Sequence, residues 1–161
     1  MFVLISSLTD DGLKLDGSNI SISKTASNPT CPVGTGLIRE IIGNDKTATI
    51  GFSKSTERTT TSFEKGDPGT GTVALKKPYT NVEGKDSTTR VCRNDFNSPK
   101  TGYAPAKIII GHELIHSYHI LSGTNGKDEE DRTVGLGVYS NDMYTENALR
   151  REHGLEIRVS Y

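Results

Sequence analysis

The chain has 161 residues, 32% of them hydrophobic, and its 19 basic and 20 acidic side chains leave a net charge of −1. A chain of this length predicts one domain, residues 1–161. The balanced charge gives no support for a nucleic-acid reader or a membrane-surface binder. No apolar run approaches the ~20 residues that a membrane-spanning helix needs.

The two cysteines, Cys31 and Cys92, lie far apart and form no CxxC pair. This spacing favours two free thiols in a reducing compartment, with a single long-range disulfide as the alternative. Neither cysteine has another cysteine or histidine at zinc-ligand spacing, so neither is predicted to bind zinc.

The first hundred residues predict a small sheet and one helix. The stretch "LKLDGSNISIS" alternates around Asp16 and Gly17 and predicts a β-hairpin, while "GTGLIREIIGND" predicts a helix that ends at Gly43. "TATIGF" and "GTVALKK" predict strands, and we expect the second to be the edge strand that pairs with an extended peptide. The polar residues 53–72 and 81–101 are predicted to be mostly irregular.

The C-terminal part predicts two helices. The clearer one begins near Pro105 and ends before Gly123. The acidic run 128–131 in the following loop is expected to be solvated, because the spacing of a calcium-binding EF-hand is absent. A second helix is predicted over 142–153 with Gly154 as its stop, and the alternating tail "LEIRVSY" predicts a short strand.

The first of these helices carries "HELIH", an HExxH pattern over residues 112–116. His112 and His116 are one helical turn apart and point the same way, so both can reach one Zn²⁺ at ~2.0–2.1 Å. Glu113 lies ~100° around the helix, which suits a general base toward the attacking water better than a metal ligand. The alternative is a helix with two unrelated histidines, and the apolar helical context favours the metal site.

A catalytic zinc site needs a third protein ligand. The downstream candidates are Asp142, Glu146, Glu152, His153 and Glu156. Glu146 is favoured because the loop before it is long enough to fold the second helix back along the first, as in His₂Glu sites. His153 is the second choice, and an exposed pair with Arg150 is the alternative for Glu146.

His119 follows the motif but cannot share its ion, because His112 and His119 are ~10.5 Å apart along the helix axis. The longer HExxHxxGxxH pattern is also absent, since Ser122 stands where its third histidine would be. Packing, or a hydrogen bond next to the metal site, is therefore favoured for His119 over a substrate-side role.

Together, "HELIH" and "YTENALRREHGLEIRVSY" resemble the NleD-like zinc metalloprotease effectors that bacteria inject through type III secretion. Related domains form the toxic tips of polymorphic toxins. The resemblance covers residues 105–161 well and the first hundred residues loosely. The chain is also faintly similar to clostridial neurotoxin light chains, which share HELIH, a distant helical glutamate ligand and an Arg–Tyr pair.

This resemblance implies an α+β, zincin-like fold of the HExxH…E type, with a small twisted sheet and a second, ligand-bearing helix. It implies one Zn²⁺ per chain, held by His112, His116 and Glu146, with Glu113 as the base.

The resemblance also implies that Arg158 and Tyr161 stabilise the oxyanion of the reaction. It implies a monomeric endopeptidase that a bacterium secretes and that cuts a protein, of the MAP-kinase type, in the cytoplasm of a host or target cell. The alternatives are an effector module that binds metal without cleaving, or one that binds no metal. An intact Glu113 argues against the first, because a purely structural metal site needs no base.

Overall fold

The computed structural model describes residues 1–53, 59–62, 70–75, 86–96, 98–99 and 103–161. Within these ranges helices and a small sheet are combined, which confirms the predicted α+β class. The α-helices are α1 (Phe2–Ser6), α2 (Pro32–Gly43), α3 (Ala106–Leu121), α4 (Glu129–Val134) and α5 (Glu146–Glu152). The strands are β1 (Gly12–Asp16), β2 (Asn19–Lys24), β3 (Ala48–Phe52), β4 (Thr60–Ser62), β5 (Thr70–Leu75) and β6 (Ser87–Val91).

The six strands form one mixed sheet in the order β1-β2-β5-β3-β6-β4. β2 with β5 and β3 with β6 are parallel pairs, and the other neighbours are antiparallel. The predicted hairpin is confirmed, with Gly17 at a φ of 59° in its turn. The prediction that "GTVALKK" supplies the edge strand is wrong, because β5 lies between β2 and β3. The edge strands are β1 and β4.

Two segments predicted to be irregular contain strands. β4 lies within residues 53–72, and β6 lies within residues 81–101. Both are rich in threonine, whose branched Cβ favours a strand. Because threonine is also polar, a buried strand that contains it is easily taken for an irregular segment in the sequence. Thr88 and Thr89 are in fact buried in β6. Residues 54–58, 63–69, 81–85, 97, 100 and 101 of these segments lie outside the described residues.

Helix α3 runs through the middle of the domain, against β3, β4 and β6 on one side and α1, α2 and α5 on others. Because protein surrounds it, its apolar residues are not confined to one stripe. Ile108, Ile110, Leu114 and Ile115 are fully buried, and each such side chain stabilises the fold by about 1.5–3 kcal/mol. The histidines of "HELIH" are thereby carried into the interior.

Helix α5 packs closely on α3 at Gly111, where an added Cβ would lie 2.5 Å from Cδ1 of Leu149. The N-terminus of α5 is capped by Thr145, whose Oγ1 accepts the Ala148 N–H at 3.0 Å. The helix therefore starts at Glu146, later than the predicted start at Asp142.

Two further predictions for the C-terminal part are wrong. Residues 129–131 of the acidic run form the first turn of α4, a short helix that docks on α3, whereas a solvated loop was expected. The tail 155–161 is not a strand. It is held by a side chain, because Asn147 donates to the Arg158 carbonyl at 2.9 Å and accepts the Arg158 N–H at 2.7 Å. Cys31 and Cys92 are both free thiols.

Candidate active site

The two motif histidines converge on one point in the interior. The Nε2 atoms of His112 and His116 are 3.1 Å apart, and their rings meet edge to face with centroids 4.7 Å apart. Only 9% of His112 and 8% of His116 is exposed. The i, i+4 spacing on α3 therefore produces the predicted pair of convergent nitrogens.

Glu130, from α4, is the carboxylate that joins this pair. Its Oε2 lies 3.4 Å from Nε2 of His112 and 3.3 Å from Nε2 of His116. The ligand atoms of the three residues lie within 4.8 Å of one another. Glu130 Oε2 is buried and forms no hydrogen bond with the described residues, which suits a ligand atom. Two imidazoles and a carboxylate are the donor set of a His₂Glu catalytic zinc site.

Sequence reasoning missed Glu130 because it assigned the acidic run to a solvated loop. The available signal was a pair of adjacent glutamates, Glu129 and Glu130, shortly after HExxH. Their role depends on how α4 docks against α3, and residue spacing alone does not specify that docking.

Glu146, the ligand expected from the sequence, lies on the opposite side of the His112 ring. Its Oε2 is 2.8 Å from Nδ1 of His112, and its Oε1 accepts from Nε of Arg150 at 2.6 Å. The structure therefore does not group Glu146 with the two Nε2 atoms. The contact with Arg150, considered as an exposed alternative, is present but buried. A carboxylate on the far nitrogen is the usual device that orients a metal-binding histidine.

Glu113 lies beside the histidines but outside their ligand group. Only 6% of it is exposed, and its Oε2 accepts a hydrogen bond from the hydroxyl of Thr61 on β4. The hydroxyls of Thr61 and Thr89 are 2.7 Å apart, which links this contact to β6. The edge of the sheet thus orients the carboxylate expected to act as the base.

The tail brings Arg158 and Tyr161 to the same place without forming a strand. The Tyr161 ring stacks on that of His112, with an interplanar angle of 16° and centroids 6.5 Å apart. Arg158 donates to Glu146 Oε2 at 3.2 Å, and its Cζ lies 5.2 Å from the centre of the Tyr161 ring. Burial, and then the Glu130 carboxylate, raise the pKa of the Tyr161 hydroxyl.

A family model for M91 peptidases, described as an effector protein, matches residues 24–161. The chain belongs to this family. The match supports the predicted NleD-like effector peptidase, whereas the fainter likeness to clostridial light chains has no support from it. No curated protein and no solved structure matches the chain.

The M91 match includes every residue of the site and leaves out α1, β1 and all of β2 except Lys24. It extends the likeness to residues 24–104, where motifs were weak. None of the helices in the described part of the chain has the length and apolar character to cross a membrane.

The carboxylates of this M91 site favour positive charge on the two rings. Burial opposes a charge on His116, yet the carboxylates of Glu129 and Glu130 raise its pKa to about 10. The pKa of His112 is also raised, because Glu130 and Glu146 outweigh the same effect of burial. Although burial favours the neutral acids, the facing histidines lower the pKa values of Glu129 and Glu146 to about 2. The same field would favour a divalent metal ion.

His119 does not reach the point at which the Nε2 atoms of His112 and His116 converge. It is 2% exposed, and its Nδ1 lies 2.7 Å from Oε1 of Glu129. The same Oε1 is 3.0 Å from Nδ1 of His116. His119 therefore lies where it can make a hydrogen bond next to the candidate metal site, as the sequence analysis favoured over a substrate-side role.

His153, the second choice for the third ligand, belongs to a different group, with Cys31 and Glu152. Lys107 Nζ lies 3.0 Å from Nδ1 of His153. An ammonium can only donate, so Nδ1 accepts and the proton of the neutral ring stays on Nε2, which cannot then bind a metal. The Glu152 carboxylate accepts two backbone N–H groups at the start of α2, at 2.5 and 3.1 Å. This group therefore has the contacts of a structural cluster.

Proposed function

We propose that this M91 peptidase is a zinc-dependent endopeptidase with a zincin-like fold. His112, His116 and Glu130 would hold one Zn²⁺ per chain, so Glu130 replaces the glutamate favoured by the sequence. The observation that carries the proposal is the convergence of two histidine Nε2 atoms with a buried carboxylate oxygen that forms no hydrogen bond with the described residues. When bound, the ion would polarise the scissile carbonyl and lower the pKa of the attacking water to about 7.

Glu113 moves the proton in this mechanism. Its carboxylate takes a proton from the attacking water and passes it to the nitrogen of the leaving amine. The Thr61 hydroxyl donates to one oxygen of this carboxylate, and the other oxygen would take the proton. Arg158 and Tyr161 donate to the oxyanion as charge develops on it, and one well-aimed donor is worth about 3 kcal/mol.

The substrate is a protein of the cell into which the effector is delivered. β4 is the edge strand beside α3, so an extended peptide that paired with it would pass close to Glu113. A MAP-kinase-type substrate follows from the NleD resemblance, and we expect the monomer to be active.

Metal analysis by inductively coupled plasma tests the first part of the proposal. Freshly purified wild type and His153→Ala should hold close to one zinc per chain, whereas His112→Ala should hold almost none. Less than a tenth of an equivalent in the wild type, after zinc is added back, would overturn the metal centre.

Glu113→Gln tests the chemistry. This variant should keep zinc and thermal stability but lose cleavage of a proteome-derived peptide library, because only the proton acceptor is removed. If zinc-loaded wild type and Glu113→Gln gave the same peptide profile, the protein would be the non-proteolytic metal-binding module instead.

A further inference from the structure

The carboxylate of Glu129 contacts two histidines at once. Its Oε1 is 3.0 Å from Nδ1 of His116 and 2.7 Å from Nδ1 of His119. Thr133, one turn further along α4, places its hydroxyl 3.3 Å from the same oxygen. A carboxylate only accepts hydrogen bonds, so the arrangement requires a proton on Nδ1 of each ring.

This requirement selects one form of the His116 ring. With its proton on Nδ1, the neutral imidazole presents the lone pair of Nε2 toward His112 and Glu130, which is the form that can bind a metal. Glu146 does the same for His112 from the other side. Each histidine of the motif thus has its own carboxylate on the nitrogen that faces away from the proposed ion.

His119 explains why the Glu129 carboxylate stays in place. Glu129 is the first residue of a six-residue helix that follows an exposed loop, and its own segment holds its carboxylate through two contacts of 3.3 Å, from the Thr133 hydroxyl and the Gly126 N–H. His119 is buried on α3 and provides a fixed donor for it. Because Glu130 is the next residue, anchoring Glu129 also sets where the Glu130 carboxylate falls.

We propose that Glu129 is a positioning residue of the metal centre, which orients His116 and sets the place of Glu130, and that His119 acts through Glu129. The inference rests on the proposed zinc site and gives the third histidine a role that HExxH does not include. A purely structural contact would stabilise the fold without changing metal affinity.

The zinc dissociation constants of refolded, metal-free variants test this, measured by competition with a chelating dye. Glu129→Ala should bind zinc about 10–100-fold more weakly than the wild type, the usual effect of removing such a partner. The matched control is Asp131→Ala, an exposed acid on the same helix, which should bind like the wild type. The visible spectrum of the Co²⁺ form should change in Glu129→Ala alone.

Two His119 variants separate the hydrogen bond from packing. Asn can place an amide N–H near the position of the histidine Nδ1, so His119→Asn should bind zinc within about threefold of the wild type, whereas His119→Leu should resemble Glu129→Ala. If His119→Leu does not fold, Glu129→Ala and His119→Asn decide the question. Wild-type affinity and an unchanged Co²⁺ spectrum in Glu129→Ala would overturn the inference. A wild type that binds no zinc would instead overturn the proposed function.

Discussion

Glu130 and Glu146 approach opposite nitrogens of the same ring, so their removal should have different effects. Glu130→Ala should abolish stoichiometric zinc binding, because it removes a proposed ligand. Glu146→Gln should keep zinc with an affinity about 10–100-fold lower, because it removes no proposed ligand but weakens the contact that orients His112 through Nδ1. Metal content and chelator competition measure both. The Gln variant is preferable to Ala because Arg150 and Arg158 both donate to Glu146.

The reverse result, with zinc kept in Glu130→Ala and lost in Glu146→Gln, would restore the ligand set implied by the family resemblance. The unfolding temperatures of the metal-free forms provide the control, since a variant that fails to fold loses zinc for an unrelated reason.

Tyr161 tests the role of the tail. Tyr161→Phe should keep zinc, because the stacking ring remains, but should lower kcat and kcat/KM by similar factors of about 10²–10³. Equal losses in both constants mark an interaction made only in the transition state. The control is Val159→Ala, a change at a residue that is 86% exposed. If Tyr161→Phe cleaved the substrate at the wild-type rate, the Tyr161 hydroxyl would have no catalytic role.

At the scale of elements, the close contact of α3 with α5 makes a small change costly. Gly111→Ala would place a methyl group 2.5 Å from Leu149 Cδ1, and such overpacking costs about 1–3 kcal/mol. Ala is the better helix former by up to about 1 kcal/mol, so we expect a net loss of about 1–2 kcal/mol in urea unfolding. Gly43→Ala, in a helix where the added Cβ meets nothing within 4 Å, should be neutral or slightly stabilising.

A Gly111→Ala protein as stable as the wild type would mean that Leu149 moves aside at little cost. Zinc affinity then gives a second measurement, because a displaced α5 would also move Glu146 away from His112.

An element could be predicted where its own residues show a pattern typical of a strand or a helix. The hairpin, α2 and α3 show such patterns in their alternation, apolar spacing and terminal Pro or Gly residues. β4, β6 and α4 do not, because polar residues become strand or helix there only through partners distant in sequence. α4 is an acidic six-residue helix that contacts α3. Short helices of this kind depend on tertiary contacts.

The residues of the site also divide into those that the sequence predicted and those that it did not. His112, Glu113 and His116 lie on one helix, so their spacing predicted that the two histidines would converge. The third carboxylate could not be chosen, because both Glu130 and Glu146 reach His112 and only the docking of α4 and α5 determines which nitrogen each contacts.

At the scale of the whole molecule, an ion pair ties the first residues to α2. Asp11 accepts from Arg39 through two contacts of 2.7 Å and also accepts the Ala26 N–H at 2.7 Å. The hydrogen bonds from Arg39, with that from Ala26, hold the pKa of Asp11 below its ordinary value. A lowered pKa stabilises the folded state above the unfolded pKa of about 3.9, and this contribution is lost as the pH falls through the folded value.

Asp11→Asn should therefore be less stable than the wild type by about 1–2 kcal/mol at pH 7, because it removes the charged partner of Arg39, whose side chain is partly exposed to water. Below about pH 4 the difference should shrink, because the wild-type carboxyl becomes protonated too. Unfolding in urea at pH 7 and pH 3 measures the change. An Asp16→Asn control alters an exposed acid in the β1–β2 hairpin. If the difference in stability between the wild type and Asp11→Asn did not change with pH, it would not arise from the charge of Asp11.

The strand order has a consequence for how the chain reaches its fold. Asn19 pairs with Ala74 and Ala48 with Ser87, so the sheet joins segments that are far apart along the chain. Sheets built from such distant pairs fold more slowly than helical bundles. During synthesis the hairpin and α2 can form early, but the sheet cannot close until β6 has emerged, and α3, α4, α5 and the tail follow it. The proposed zinc ligands all follow β6 along the chain, so the metal centre can be completed only after every strand has been made.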